Sequence, residues 1–453
     1  MASLPGLNGS LDQYDNDALE SVELSGPHSV QLAGGSEWRV KVSNDSQMSL
    51  TVQEGIAEIF GTELAVAVSY RFQNTSFALH AVEDVVLEWT GTLVQQQIIG
   101  EKDTNALHVY NLHFALEKQR AAGSQGPRVL LVGKRASGKT SLAKTLSSYA
   151  LKTRDQGPVV VNLDPQQCIY TPPGCLSATP ISDLIDVQNN GWGHSTTSGA
   201  TALHAKQPLV KSFGLERISR NREWYRVQLQ QLATSLDARL AHDSALRRVG
   251  IVVDTPALRE LGDGEDDNYD FSLIHEIVTL FHINAVVVCA PDDSLAVQLH
   301  RELPVETLTI VRLPTSSGVI LNEDVQIRAL QSGAIRDYFY GDPSTVLSPY
   351  AVGVECDAVT VWEPENVMSG SSEAPQARLK PVEVNASNLQ HALVAISYAP
   401  RSAPPEDVVK SGILGFALIL EVHDTRRRLR VLLPVPGLLP DNALILTESR
   451  YLE

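Results

Sequence analysis

Cysteine is scarce in this chain. Four stand in 453 residues, at Cys168, Cys175, Cys289 and Cys356, and none forms the CxxC pair of a zinc ribbon. So few thiols make no disulfide framework, and a reducing compartment suits them. Long apolar runs are also missing. No stretch of ~18 apolar residues occurs, so no membrane-spanning helix is expected. The opening MASLPGLNGSLDQYDND has neither the basic nor the apolar region of a signal peptide. Without secretion, the sequons at Asn44 and Asn74 carry no meaning. Cations are in deficit, 36 Lys and Arg against 53 Asp and Glu, for a net charge of −17. Wrapping nucleic acid by bulk charge needs clustered cations, so any RNA contact is expected to be local.

The chain is too long for one core, and two to four domains are expected, at about 100–200 residues each. The first 25 residues are polar and acidic and read as a loose arm. EWRVKVS then alternates Trp38, Val40 and Val42 with Arg39, Lys41 and Ser43. MSLTVQ, AEIFGTELAVAVSY and AVEDVVLEWTG follow at close spacing, the pattern of a small β-sandwich or barrel. NALHVYNLHFALEKQRAA sets Leu107, Tyr110 and Phe114 at helical spacing, beside a second stripe of Val109, Leu112 and Leu116.

From residue 128 the texture changes. RVLLVG, PVVVNLD, VGIVVD, NAVVVCA and ETLTIVRLP are continuous apolar runs separated by amphipathic stretches such as TSLAKTLSSYALK and WYRVQLQQLATSLDARL. Strands covered on both faces read this way, and the fold class is α/β: a central doubly wound parallel sheet. It is flanked by the N-terminal β-sandwich and a C-terminal mixed α+β domain. In the latter, GILGFALILEV and LRVLLPV form a hairpin around HDTRRR, while SGSSEAP and APRSAPPED read as loop insertions. The divisions fall at 1–104, 105–335 and 336–453.

Gly133, Gly138, Lys139 and Thr140 satisfy G-x-x-x-x-G-K-[ST] between a strand and a helix. The glycines let several N–H groups curl toward one anion, and the helix N-terminus adds partial positive charge. Lys139 reaches the β- and γ-phosphates, and the Thr140 hydroxyl takes Mg²⁺. Asp254, ending VGIVVD, is the expected second Mg²⁺ carboxylate, acting through water; a helix N-cap is its bland alternative. Asp164 sits at the sheet edge where ligands bind and is a candidate general base, or else a turn residue before Pro165. ILNEDV has Asn322 and Asp324 but no Asn-Lys-x-Asp spacing, so a GTPase is a minor reading.

VNLDPQQ, PGCLSATPISDLID, IRDYFYG, LSPYAVGV, SNLQHA, GILGFALI and RVLLPVPG resemble the Clp-type polynucleotide 5′-hydroxyl kinase family along essentially the whole chain. The likeness is to its fungal branch, the kinase-like subunit of the pre-mRNA 3′-end cleavage and polyadenylation factor. This resemblance implies ATP with Mg²⁺ and a nuclear location. It also implies a scaffold partner that binds the RNA polymerase II tail, and other 3′-end processing factors. By position it implies that the N-terminal domain caps adenine. Glu37 of GSEW would touch the base, although alone it reads as a solvated strand-edge charge. Ser76 stands where relatives often carry Lys, which weakens that contact. Ala136, Ser137, Gly138, Lys139, Thr140 and Ser141 would hold the phosphates.

The same resemblance shows an eroded acceptor side. Active relatives read D/E-x-D-x-G-Q after the second strand; this chain has Asn162, Asp164, Gln166 and Gln167. A Thr-Thr-Pro-Gly segment is replaced around Leu215, Glu216 and Arg217, and no aromatic follows DTP, where stacking on a base is worth ~1–3 kcal/mol. In the lid, Arg328, a candidate lid arginine, and Arg336 remain, but Gln331 and Ala334 replace further arginines. A transition-state arginine is worth roughly 10³–10⁵ in rate. The expectation is therefore a degenerate, ATP-stabilised scaffold without efficient kinase activity, RNA contact being weak or indirect. The alternative is an active polynucleotide 5′-hydroxyl kinase. RRRLR at Arg426 to Arg430 reads as a solvated hairpin turn. RISRNR, Arg217 to Arg222, lies beside the nucleotide domain and is less easily assigned to plain solvation.

Overall fold

A computed structural model describes residues 26–154, 156–193, 208–261, 269, 271–303, 308–342, 345–366 and 376–452. The proposed N-terminal arm and the SGSSEAP insertion lie outside the described residues. Among the described residues, three seven-stranded sheets organise the fold.

The first sheet is built around one long strand, Glu37–Glu54, which pairs with Ser69–Ala81 along its length. Its first half also pairs with Gln95–Ile99 and its second half with Val85–Gly91. The register slips between Val42 and Gln47. A bulge of this kind bends a strand and lets the sheet close on itself. Trp38, Val40, Val42, Phe77 and Leu79 face the enclosed core. Glu37, Arg39 and Lys41 therefore project from the opposite face, toward the central domain. The sequence breaks this strand at the polar SNDSQ; the strand runs on through it, and only its pairing is interrupted, between Val42 and Gln47.

The helix Ala106–Ala122 leads to the central domain. Leu116 is buried in that domain's core, with Val109 and Leu112 packed against it. Of the other stripe, Leu107 and Phe114 are exposed, while Tyr110 stacks on Tyr149 with ring centroids 5.4 Å apart.

The central sheet contains five parallel strands. Val159–Asn162, Ile251–Asp254, Arg128–Gly133, Ala285–Cys289 and Thr309–Leu313 lie side by side in that order. Its first four are fully buried, as near-continuous Val, Ile and Leu runs require under helices on both faces. Two short antiparallel strands, Cys175–Pro180 and Leu209–Ser212, extend one edge. The all-parallel expectation is thus corrected at that edge; neither segment carries the long apolar run that marked the others. The helix Lys139–Arg154 follows the first strand directly. The helix Asp324–Tyr340 starts with a capping box between Glu323 and Gln326 and stops at Gly341, at φ +77. The division drawn after residue 335 falls within this helix.

The third sheet contains the expected hairpin, Ile413–His423 with Arg428–Leu433. Asp424–Arg426 turns the chain, and Arg427 adopts φ +49. Three of the four arginines there are paired: Arg427 with Asp357, Arg428 with Glu355 at 2.8 Å and Arg430 with Glu421 at 3.2 Å. These exposed pairs give the patch its solvated character. APRSAPPED is a structured join rather than a loop. It ends the strand Ala392–Pro400 and opens the helix Pro405–Lys410, where proline's fixed φ suits the first helical position. Lys211 of the central domain donates to the carbonyls of Lys410 and Ser411, at 2.8 and 3.0 Å, capping that helix. No helix of the described residues is long and apolar enough to cross a membrane.

Candidate functional site

A cleft of about 980 Å³ lies between the N-terminal sandwich, the C-terminal edge of the central sheet and the helix Asp324–Tyr340. That edge is where ligands bind in open α/β sheets. The phosphate loop forms its floor. Gly133 is glycine for a steric reason: a Cβ there would lie 2.4 Å from Ser137 Oγ and 2.7 Å from the Cys289 carbonyl. Gly138 is glycine for a conformational one, at φ +85. Ala136 also takes positive φ, +55, so the loop turns sharply before the helix. Ala136, Ser137, Gly138, Lys139, Thr140 and Ser141 all line the cleft.

The polar groups of the loop are arranged for an anion. Lys139 is buried, and its Nζ donates to the carbonyls of Gly133 and Lys134 at 3.1 and 3.0 Å. Ser137 Oγ is buried without a hydrogen-bond partner. The Thr140 hydroxyl donates to Asp254 Oδ2 at 2.6 Å, while Oδ1 of the same carboxylate is buried and unpartnered. A hydroxyl and a carboxylate with a spare oxygen form a hard donor pair, suited to a small divalent cation shared with phosphate. Burial pushes Asp254 up to about 6 against the pull of Lys139 and Thr140.

Asp164 stands just beyond the strand Val159–Asn162 and lines the cleft. It is also a turn residue, because its Oδ1 accepts from the Gln166 N–H at 2.9 Å. Burial raises it, and the turn bond and Lys139 only partly offset that. Asn162 is wholly buried: its Oδ1 accepts from the Asp164 N–H at 3.1 Å, and its Nδ2 donates to the Asp164 carbonyl at 3.2 Å. The amide therefore secures the turn and presents nothing to the cleft. Glu260 joins the acidic group. Burial, followed by the Asp164 charge, pushes it up to about 7, and its Oε2 is buried and unpartnered. Sequence reasoning missed Glu260, for which neither spacing nor motif gave a sign.

The N-terminal wall holds Glu37 and Ser76, both lining the cleft. Glu37 Oε2 accepts from Arg39 Nε and Nη2, each at 3.2 Å, and Arg39 also donates to Ser316 and Ser317 at 3.1 and 2.9 Å. Arg39 thus fastens this wall to the loop before the lid helix. Ser76 lies directly opposite Lys41 across the strand pair. Lys144, buried on the P-loop helix, sits 5.1 Å from the Phe60 ring centroid and 6.0 Å from that of Trp192. The alternation in EWRVKVS was a usable signal for Arg39 and Lys41, though not for what their face meets.

On the lid helix, Arg336 lines the cleft, whereas Arg328 is exposed and stands outside its lining. Gln331 Nε2 donates to the Gln166 carbonyl at 3.3 Å. Arg135 donates to the Asn322 carbonyl at 2.8 Å and lies 3.5 Å from Asp324, which is 3.9 Å from Arg217. Leu215 is buried in the core, and the Glu216 N–H is held by Glu448 at 2.5 Å.

A phosphate loop in strand–loop–helix context, roofed by a β-sandwich and backed by a C-terminal β domain, defines a three-part P-loop nucleotide-binding protein. Family models match the same three parts. The N-terminal β-sandwich domain of polyadenylation factor matches residues 31–123, the P-loop of mRNA cleavage and polyadenylation factor CLP1 residues 133–341, and the pre-mRNA cleavage complex II protein Clp1 residues 347–453. The chain belongs to the mRNA cleavage and polyadenylation factor CLP1 family. It is 50% identical to the Eremothecium gossypii CLP1 factor over 427 residues, 94% of each chain. It is 45% identical to that of Saccharomyces cerevisiae over 460 residues, the full length of both. Among solved structures, a complex of wild-type Clp1p with a Pcf11p segment superposes with a TM-score of 0.87 at 45% identity, covering 94% of this chain and 99% of that one. A second Clp1p structure, concerned with an extended Pcf11p interface and with ATP loss in a glycine-to-arginine mutant, gives 0.86 over the same shares.

Proposed function

We propose that this chain is the ATP-binding subunit of the nuclear pre-mRNA cleavage and polyadenylation machinery, required for mRNA 3′-end formation. Its direct partner is a Pcf11-type scaffold subunit, as in the related complexes. Ala136 to Ser141 would hold the phosphates of ATP, Thr140 would ligate Mg²⁺ with Asp254 acting through water, and Glu37 would meet the base. The cation would supply charge neutralisation between the phosphates. A nucleotide held by both the N-terminal wall and the phosphate loop would fasten the two domains. A ligand that binds only the folded state at a thousandfold excess over Kd adds ~4 kcal/mol of stability.

The observation that carries this reading is the asymmetry of the cleft. Its phosphate side offers an unpartnered hydroxyl, Ser137 Oγ, and a spare carboxylate oxygen, Asp254 Oδ1. The positions where the resemblance places acceptor contacts are tied into the chain: Asn162 is spent on its own turn, Gln331 on the Gln166 carbonyl, and the main-chain N–H of Glu216 is held by Glu448. Efficient phosphoryl transfer to an RNA 5′-hydroxyl needs those positions free. The test is to identify the nucleotide that co-purifies with the protein, then offer a 5′-hydroxyl RNA with γ-labelled ATP. The expected result is bound ATP and no label on RNA. Transfer abolished by Asp164→Asn would establish the kinase instead.

A further inference from the structure

We propose that Lys41 binds the nucleotide: its ammonium contacts the base beside Glu37, supplying from the neighbouring strand the cation that position 76 lacks. This rests on the nucleotide-binding reading above and adds to it a residue and a base preference.

The strand Glu37–Glu54 sends Trp38, Val40 and Val42 into the sandwich core at 0–2% exposure. Residues two apart share a face, so Glu37, Arg39 and Lys41 form one row on the other side, and all three line the cleft. Two of the three are committed to each other, since Arg39 donates to Glu37 Oε2 and to two serines of the central domain. Glu58, the other acid on this wall, is occupied by Tyr149, Tyr110 and Lys152. Among the described residues Lys41 has neither an ion pair nor a side-chain hydrogen bond. It is a half-buried lysine in the wall of a cleft, and its ammonium has no protein acceptor of its own among the described residues.

Its place in the sheet fixes what it can reach. Lys41 is in direct register with Ser76, and opposed residues on one face hold their Cβ atoms about 4.5–5.5 Å apart. A lysine stem spans more than that distance. An ammonium anchored at 41 therefore reaches the volume that one anchored at 76 would reach. Serine at 76, being short, leaves that volume clear.

The row also reads the base. Both Arg39 bonds fall on Glu37 Oε2, which leaves Oε1 as an acceptor on the same face of the strand as Lys41, four residues further along. Adenine presents an exocyclic amino donor next to a ring-nitrogen acceptor and matches one acceptor beside one donor. Guanine presents two adjacent N–H donors on its pairing edge, which ask for both oxygens of a carboxylate.

The experiment is equilibrium binding of ATP, GTP and inorganic tripolyphosphate to the full chain and to Lys41→Met, which keeps the aliphatic stem. Lys41→Met with Ser76→Lys is the rescue, and Lys139→Ala the control. The expected result is about a tenfold loss of ATP affinity in Lys41→Met, as for one charge-assisted hydrogen bond. Tripolyphosphate affinity should not change, and most of the ATP affinity should return in the double variant. ATP affinity equal to wild type in Lys41→Met would overturn the proposal. So would an equal loss for ATP and tripolyphosphate, which would make Lys41 a distant charge rather than a base contact. If the wild-type chain binds ATP no better than Lys139→Ala, the nucleotide reading itself fails, an outcome distinct from either.

Discussion

Gln331 on the lid helix donates its side-chain amide to the main-chain carbonyl of Gln166, 3.3 Å away, in the turn that carries Asp164. Both residues stand where the resemblance to active kinases implies something else, arginine at 331 and glycine at 166. Only the change at 331 makes this contact, since a glycine at 166 would offer the same main-chain carbonyl. Gln331 ties the helix Asp324–Tyr340 to the turn that carries Asp164.

Breaking that tie should loosen the lid without unfolding the protein. A part-buried hydrogen bond contributes about 1 kcal/mol net, equivalent to roughly fivefold in an opening equilibrium. Gln331→Ala is expected to raise amide exchange in the helix Asp324–Tyr340 by about that factor, with the global unfolding midpoint in urea nearly unchanged. Equal exchange in both proteins would show that the contact does not restrain the lid.

Gly133 and Gly138 should fail in different ways. A methyl at 133 has no room against Ser137 Oγ and the Cys289 carbonyl, so Gly133→Ala must shift the loop and is expected to cost more than tenfold in ATP affinity. At 138 the nearest atom to a Cβ is Val319 Cγ2 at 3.7 Å, and the penalty is conformational, ~1–2 kcal/mol for a non-glycine residue at φ +85. Titration calorimetry on both variants, with thermal melts to register folding, separates the two.

What could be read from the sequence follows how local each signal is. The phosphate loop was legible because its strand, glycines, Lys139 and helix lie within one short segment. The buried parallel strands and the Ile413–Leu433 hairpin were legible because burial on one or both faces imprints directly on apolar spacing. The antiparallel edge strands Cys175–Pro180 and Leu209–Ser212 carry polar and proline positions and gave no such imprint. The two stripes of the helix Ala106–Ala122 look alike in sequence, and only packing decides that Leu116 is buried and Phe114 exposed. Contacts across domains, such as Arg39 with Ser316, join residues far apart in the chain and leave no local trace. Arg328 and Arg336 are equally basic, and only the helix's orientation puts Arg336 on the cleft.

Glu58 is the buried hinge of the joint between the first two domains. Only 4% exposed, it accepts from the Tyr149 hydroxyl, the Tyr110 hydroxyl at 3.3 Å and Lys152 at 3.2 Å. Glu58→Ala leaves two part-buried hydroxyls and an ammonium without their acceptor, and is expected to destabilise the protein by about 2–4 kcal/mol. Glu58→Gln keeps an acceptor oxygen and should cost about half as much. Urea unfolding followed by tryptophan fluorescence measures both, and a negligible effect of Glu58→Ala would mean that the joint is held elsewhere.

Lys144 gives the protein a stability that depends on alkaline pH in a definite direction. Burial between Phe60 and Trp192 lowers its ammonium from 10.5 to about 8, with Asp186 opposing the shift. Between pH 8 and 10.5 the unfolded chain holds a proton at this position that the folded chain has released. Stability from this group therefore rises with pH across that window and is at its lowest below pH 8. The full difference is on the order of 3 kcal/mol. Comparing wild type with Lys144→Met removes the contribution of every other titrating group common to both. The difference in unfolding free energy is expected to move in favour of wild type as pH rises from 8 to 10.5, and to be flat from 6 to 7. A difference that stays constant across the whole range would place the ammonium in water rather than between the two rings.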